Sequence, residues 1–277
     1  MKDFWDSILS FARVTVDRVG QQLLQDFGSA QAHEKDDGSL VTESDKWADV
    51  TIRSAIASTF PGHGILSEEG EQVFPDTEWC WVVDPLDGTT NFARGIPIWG
   101  ISLGLLYRGT PVFGYVHLPP LNQTFHGFFA PDLTGDVFDD IPEGAFLNDR
   151  QIRHSPDKMS GNHFFNVCSR SVAIAPRIPS KIRMLGMATY NFLTVASGAV
   201  LGGVEATPKI WDIAGSWVIV KAAGAVWLPL ESAPIFPLEV GRNYGRISYP
   251  TLVINRQELV SVFLPFVEAW KQKKLGN

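Results

Sequence analysis

Cysteine is scarce. The 277-residue chain has two, Cys80 and Cys168. Two thiols cannot staple a chain this long, and neither stands in CxxC spacing, so a disulfide scaffold and a thiolate metal knuckle are both excluded. A reducing, cytoplasmic setting is expected, with both thiols packed as small hydrophobes. Long apolar runs are missing too. No window holds the roughly 18 or more apolar residues of a membrane span. The N-terminal stretch is broken by Asp3, Asp6, Arg13, Asp17 and Arg18, which leaves no signal-peptide core. Basic runs are absent and the net charge is −7, so neither nucleic acid nor an anionic membrane is an expected partner. There is no fixed-period repeat and no low-complexity tract. GxSxG, P-loop and HExxH motifs are also missing, and the six histidines show no ligand spacing.

What is present is apolar and interleaved. Hydrophobic residues make up 45% of the chain, enough for a sizeable core in one large domain or two closely packed halves. Phe4, Ile8, Phe11, Ala12, Val19, Leu23 and Phe27 recur at helical spacing and predict an amphipathic helix over 3–27. Residues 30–42 read as a polar loop. A second helix follows, capped by Ser44 or Asp45 and stopped by Pro61-Gly62. Strands are expected at 64–70, 79–83, 98–107, 111–117 and 123–129, and 130–144 is the most loop-like stretch and the best boundary. In the second half, 163–170, 202–207 and 250–255 read as strands. Residues 188–200, 211–224 and 256–274 read as helices, the last with Pro265 inside it. Alternating strands and helices argue for a layered α/β or α+β fold.

The sequence WVVDPLDGTT, 81–90, sets Asp84 and Asp87 at the mouth of an apolar strand. Carboxylates that close repel unless a proton or a cation lies between them. All-oxygen sites suit hard ions, and Mg²⁺ is commonly held by a few carboxylates with waters and phosphate oxygens. The Leu86 carbonyl leaves from the same turn. Glu68 and Glu69 end an earlier strand, and Asp212 opens a helix. Gly88, Thr89 and Thr90 begin the element after the acidic turn, where free N–H groups receive an anion such as phosphate. Taken singly, each has an ordinary explanation: Asp87-Gly88 as a turn, Glu68-Glu69 as a solvated pair, Asp212 as a helix cap. Together they form a phosphoryl-transfer arrangement.

These residues resemble the inositol monophosphatase family of Mg²⁺-dependent, lithium-sensitive phosphatases. WVVDPLDGTTNF is similar to its first signature and WDIAG, 211–215, to its second. SEEG, 67–70, and KDDGSLVTESD, 35–45, match its shorter motifs, and the likeness is weakest over 229–250. The resemblance implies a layered α-β-α-β-α sandwich, as in the inositol monophosphatase and fructose bisphosphatase superfamily. It further implies a single phosphatase domain over 1–277, with a metal-binding part to about 140 and a substrate side beyond. Carried over by position, Glu68, Asp84, the Leu86 carbonyl, Asp87 and Asp212 would hold two or three Mg²⁺. Thr89, with Asp45 behind it, would orient the attacking water, and Glu68 would share in catalysis. Gly88 and Thr89 would bind phosphate together with Asp87 and Asp212. Gly186, Ala188 and Glu205 would meet the sugar ring, and Ser169-Arg170 resembles a substrate-side pair. Lys35 lies in the loop that the family closes over its metals. A homodimer is implied as well.

Ser67 replaces a usual Gly, Met187 replaces a small or hydroxyl residue beside the substrate, and 229–250 lacks the usual Gly- and Asp-containing turn. The expected activity is hydrolysis of a small polyol or sugar phosphate, inositol monophosphate first. Histidinol phosphate, phosphoadenosine phosphate and fructose bisphosphate are alternatives within the same chemistry. A catalytically silent scaffold of the same fold is the alternative from another class.

Overall fold

The computed structural model describes residues 2–35, 38, 40–130, 133–135 and 137–275. The first helix, α1 (Lys2–Asp26), carries the expected apolar stripe. The polar stretch after it contains a small hairpin, β1 (Ala32–Glu34) and β2 (Leu40–Thr42), where a plain loop was expected. Helix α2 (Glu43–Thr59) is capped by Thr42, not by Ser44 or Asp45. The Thr42 hydroxyl accepts from the Ser44 and Asp45 N–H groups at 3.2 and 3.3 Å, and the Asp45 carboxylate accepts from Thr42 N–H at 2.8 Å. Asp45 is thus the reciprocal partner three residues into the helix.

Next come β3 (Gly64–Ser67), β4 (Trp79–Asp87), the five-residue α3 (Thr89–Ala93), β5 (Gly100–Tyr107), β6 (Thr110–Leu118) and β7 (Gln123–Phe128). β8 (Gly144–Leu147) and β9 (Arg150–Ile152) complete a seven-stranded sheet in simple sequence order from β3 to β9. Residues 130–144, of which Pro131, Asp132 and Asp136 lie outside the described residues, therefore join two neighbouring strands, and the change of sheet falls at 153–163. The second half holds β10 (Phe164–Val167), β11 (Lys181–Arg183), α4 (Ala188–Ala196), β12 (Gly202–Glu205), α5 (Ile210–Ala222), β13 (Val226–Pro229), β14 (Thr251–Ile254) and α6 (Val260–Leu275). Its sheet is five-stranded, in the order β11-β10-β12-β14-β13. The short β11 and β13 have no alternating pattern long enough to announce them.

The layers follow from which face each residue meets. Along β4, Trp81 and Val83 face the α1–α2 layer with Trp5, Ile8 and Ile52, while Cys80 and Val82 face the layer of α4 and α5. That alternation is the period of two of a strand buried on both faces. Behind α4 and α5 lies the five-stranded sheet, and Phe165, Leu252 and Ile254 on its far face pack on Phe263 and Val267 of α6. The sequence of layers is α-β-α-β-α, as expected. Helix α5 lies close on the first sheet because glycines meet there: a Cβ on Gly114 would sit 2.1 Å from the Gly215 carbonyl oxygen. No described helix is long and apolar enough to cross a membrane.

Candidate active site

β4 does not stop short of its acids. It continues through Asp87, with a register shift between Asp84 and Asp87 against β5. Pro85, which has no N–H to give the ladder, sits in this irregular stretch. The bulge turns both carboxylates toward the start of α5, where Asp212 stands in the first turn. One oxygen from each of Asp84, Asp87 and Asp212 lies within 4.8 Å of the others. The Asp84 and Asp212 carboxyls are within hydrogen-bonding reach of each other. Among the described residues no lysine, arginine or histidine pairs with any of the three.

Their electrostatics follow. Burial, then the neighbouring acids, push Asp84 and Asp212 well above the usual carboxylate range. Burial raises Asp87 as well, against the opposing hydrogen bonds from Thr189 and from the Gly88 and Ala188 backbone. Such a set is stable when protons or a cation take up the charge. All donors are oxygen, which fits Mg²⁺ or another hard ion. The Leu86 carbonyl opens on the same cavity of about 360 Å³, which is also lined by Glu68, Gly88, Thr89, Arg170, Gly186 and Lys209.

Glu68 lines this cavity but stands outside the three-acid cluster. Its carboxylate takes a 3.1 Å ion pair from Lys35, whose ammonium also meets Glu69. Burial disfavours the Lys35 charge, yet the two glutamates outweigh it and hold its pKa above the ordinary value. Burial pushes Glu68 up to about 7 despite Lys35. Asp36, Asp37 and Ser39 of the same loop lie outside the described residues. Ser67, the departure before the glutamates, is buried and its hydroxyl donates to Asp49, which Arg53 in turn pairs at 2.7 Å.

Thr89 is the first residue of α3. Gly88 before it has φ 87°, a left-handed value that favours glycine. The Thr89 hydroxyl lies 3.0 Å from Asp45 Oδ1 and 3.0 Å from the Leu86 carbonyl. Asp45 is buried and held by Thr42 on its other oxygen, so the pair is fixed in place. The first-turn N–H groups of α3 have no partner within the helix.

A second cavity, about 470 Å³, adjoins the first and shares Arg170, Gly186 and Thr207 with it. Ala188 and Glu205 line it, with Ser169 and Cys168. Glu205 is buried, accepts from the Asn191 amide, and is pushed up to about 7 by burial. Met187 turns mainly inward, its Cε 3.1 Å from where a Cβ on Gly100 would be. Every expected site residue thus reaches one of two adjoining cavities, except Asp45, which touches them through Thr89. Three residues were missed: Thr42 behind Asp45, Thr189 holding Asp87 through N–H at 2.9 Å and hydroxyl, and Asn191 holding Glu205. The polar side chains of Thr189 and Asn191 inside the apolar helix ATYNFLTVA were the available signal. The histidines stay apart from the acids; His63, for example, accepts from the Trp81 indole at 3.1 Å.

Fold and site together define a layered α+β protein with an all-carboxylate cluster in its cleft. The sequence profile of the inositol monophosphatase family matches residues 5–250, and the chain belongs to that family. Among curated relatives, a fructose-1,6-bisphosphatase/inositol-1-monophosphatase of Thermotoga maritima is 31% identical over 226 residues, 79% of this chain and 83% of that one. A putative Nus factor SuhB of Neisseria meningitidis is 30% identical over 243 residues, 82% of this chain and 87% of that protein. Among solved structures, an IMPase of Thermotoga maritima has a TM-score of 0.77 at 29% identity, covering 95% of this chain and 99% of its own.

Proposed function

We propose that the chain is a Mg²⁺-dependent phosphomonoesterase acting on a small polyol or sugar phosphate, with inositol monophosphate the first substrate to test. The observation that carries this reading is the approach of Asp84, Asp87 and Asp212 to within 4.8 Å, with no ion pair to any of them among the described residues. Asp84, Asp87, Asp212, the Leu86 carbonyl and Glu68 are the groups that would hold two or three ions. The chemistry such ions would supply there is neutralisation of charge on the phosphoryl oxygens and a water easier to deprotonate.

The chain's own residues do the rest. Asp45 takes the Thr89 hydroxyl proton in a 3.0 Å hydrogen bond, which leaves the hydroxyl lone pairs to accept from the attacking water. The Gly88 and Thr89 N–H groups face the phosphate from the start of α3. Glu205, Gly186 and Ala188 receive the alcohol. No side-chain nucleophile is needed. The whole chain acts as one cytoplasmic unit and pairs as a homodimer, which a sedimentation measurement tests. Lithium inhibits it.

The test is Mg²⁺-dependent phosphate release over a panel of inositol, histidinol, nucleotide and sugar phosphates, including fructose bisphosphate. Release that chelator abolishes and Mg²⁺ restores is expected, and none from any ester would overturn the proposal. A second reading, function by association, draws on the similarity to proteins named Nus factor SuhB; full activity in the same assay argues against a purely associative role.

A further inference from the structure

Two of the chain's large exposed apolar side chains, Ile96 at 45% and Met184 at 58% exposure, line the second cavity together. They come from segments far apart in sequence, and a single buried amide fastens those segments: Asn91 Nδ2 donates to the Ile98 carbonyl at 2.8 Å and to the Leu185 carbonyl at 2.9 Å. The Asn91 carbonyl also accepts from the Ile96 N–H at 2.9 Å. Ile98 and Leu185 line the cavity behind the exposed pair. The apolar wall is therefore a built surface rather than a chance pair of exposed side chains.

The buried part of the lining is different. Asn191 is 2% exposed, gives its amide N–H to Glu205, and leaves its Oδ1 buried with no hydrogen-bond partner. Glu205 and Asn191 both line the cavity. The Glu205 carboxylate and the Asn191 Oδ1 are acceptors, and a buried acceptor without a donor costs stability until something supplies one. A fully hydroxylated ring would satisfy the acceptors. It would also press hydroxyls against Ile96 and Met184, where they lose water and gain no partner.

We infer that the alcohol half of the substrate is amphipathic, setting an apolar face on Ile96 and Met184 and a hydrogen-bond donor, hydroxyl or ammonium, toward Glu205 and Asn191. The inference rests on the phosphomonoesterase reading and narrows it. Ile96, Met184 and Asn191 become specificity residues, and the fully hydroxylated ring is a second-best substrate.

The test compares kcat/KM of the Mg²⁺-loaded protein on four esters: myo-inositol 1-phosphate, 3-phenylpropyl phosphate, 2-hydroxy-3-phenylpropyl phosphate and 2-amino-3-phenylpropyl phosphate. One of the two donor-bearing phenyl esters should lead both inositol phosphate and the donor-free ester by about tenfold, and which of them leads identifies the donor. Ile96→Ser and Met184→Ser, both at exposed positions, should each cost the phenyl esters about tenfold, mainly in KM, and raise kcat/KM on inositol phosphate, whose hydroxyls then gain a partner. Inositol phosphate leading the panel, or serine variants that shift all esters alike or none, would overturn the inference while the phosphatase reading stands. Absence of Mg²⁺-dependent release from all four and from p-nitrophenyl phosphate would remove both.

Discussion

Two sets of carboxylates, of which Glu68 in the first lines the same cavity as the second, are treated in opposite ways. Glu68 and Glu69 share the Lys35 ammonium, so a covalently attached cation offsets one of their two charges. Asp84, Asp87 and Asp212 have hydrogen-bond donors at their flanks, from Leu86, Thr189 and Lys209 N–H groups at 3.0, 2.9 and 2.7 Å, but among the described residues no positive side chain pairs with them. The difference teaches what the fold provides and what it leaves to a dissociable partner. The peptide donors fix where each aspartate points, while the charge is left over. Lys35 lies beside the one expected carboxylate ligand outside the cluster, so it would compete with a metal ion for Glu68.

Removing charge from the unbalanced set should have the largest consequence. Asp87→Asn is expected to lower turnover by on the order of 10³-fold, because several kcal/mol of transition-state stabilisation depend on the ligand set. The same change should leave the melting temperature without Mg²⁺ unaltered or raised, since it relieves repulsion. Retained turnover would take Asp87 out of the site, and a collapsed melting temperature would make its role structural.

Acidity should separate the two sets next. Glu68 is pushed up to about 7, and the three aspartates are raised as well. The folded chain therefore keeps protons that the unfolded chain releases near the usual carboxylate pKa of about 4. Stability from these groups is fully present below that pH and is lost as pH climbs toward about 7. In chelator, thermal melting should fall between about pH 5 and pH 7.5. Mg²⁺ at a hundred times its dissociation constant should restore about 2.7 kcal/mol at the upper end. A melting curve indifferent to pH and to Mg²⁺ would contradict the account.

Lys35→Met should be the mildest. Two partly buried ion pairs are lost, at a cost of about 1 kcal/mol without Mg²⁺. Glu68 is freed, so Mg²⁺ affinity by calorimetric titration should tighten by about fivefold. Weaker binding would show instead that Lys35 supports the metal side of the cleft rather than competing with it.

Much of this was legible in the residues. An apolar run that ends in acids is a strong pattern, and Asp84 and Asp87 were visible at the end of such a run, Asp212 at the opening of a helix. So were the long elements α1, α2 and α5, where the helical period lasts several turns. The hairpin at Ala32–Glu34 and Leu40–Thr42 was not, because three residues carry too little alternation to outweigh a polar composition. The bulge that keeps Asp87 within β4 was hidden for a related reason: Pro85 reads as a strand terminator when pairing with β5 cannot be seen. Thr42, Thr189 and Asn191 act on other side chains across 3, 102 and 14 positions. Only the first of these lies within the span of a local motif.

The contact of Gly215 with Gly114 and with the Leu103 carbonyl, 2.6 Å from where a Gly215 Cβ would lie, has one more consequence. Asp212 stands one turn upstream of that seam, so its position is indexed to β5 and β6, and β5 also pairs with β4, the strand of the other two aspartates. The three acids therefore belong to one mechanical body. Ile96 and Met184 of the alcohol cavity come from segments outside it, so the choice of ester could change at those two positions without moving the three acids.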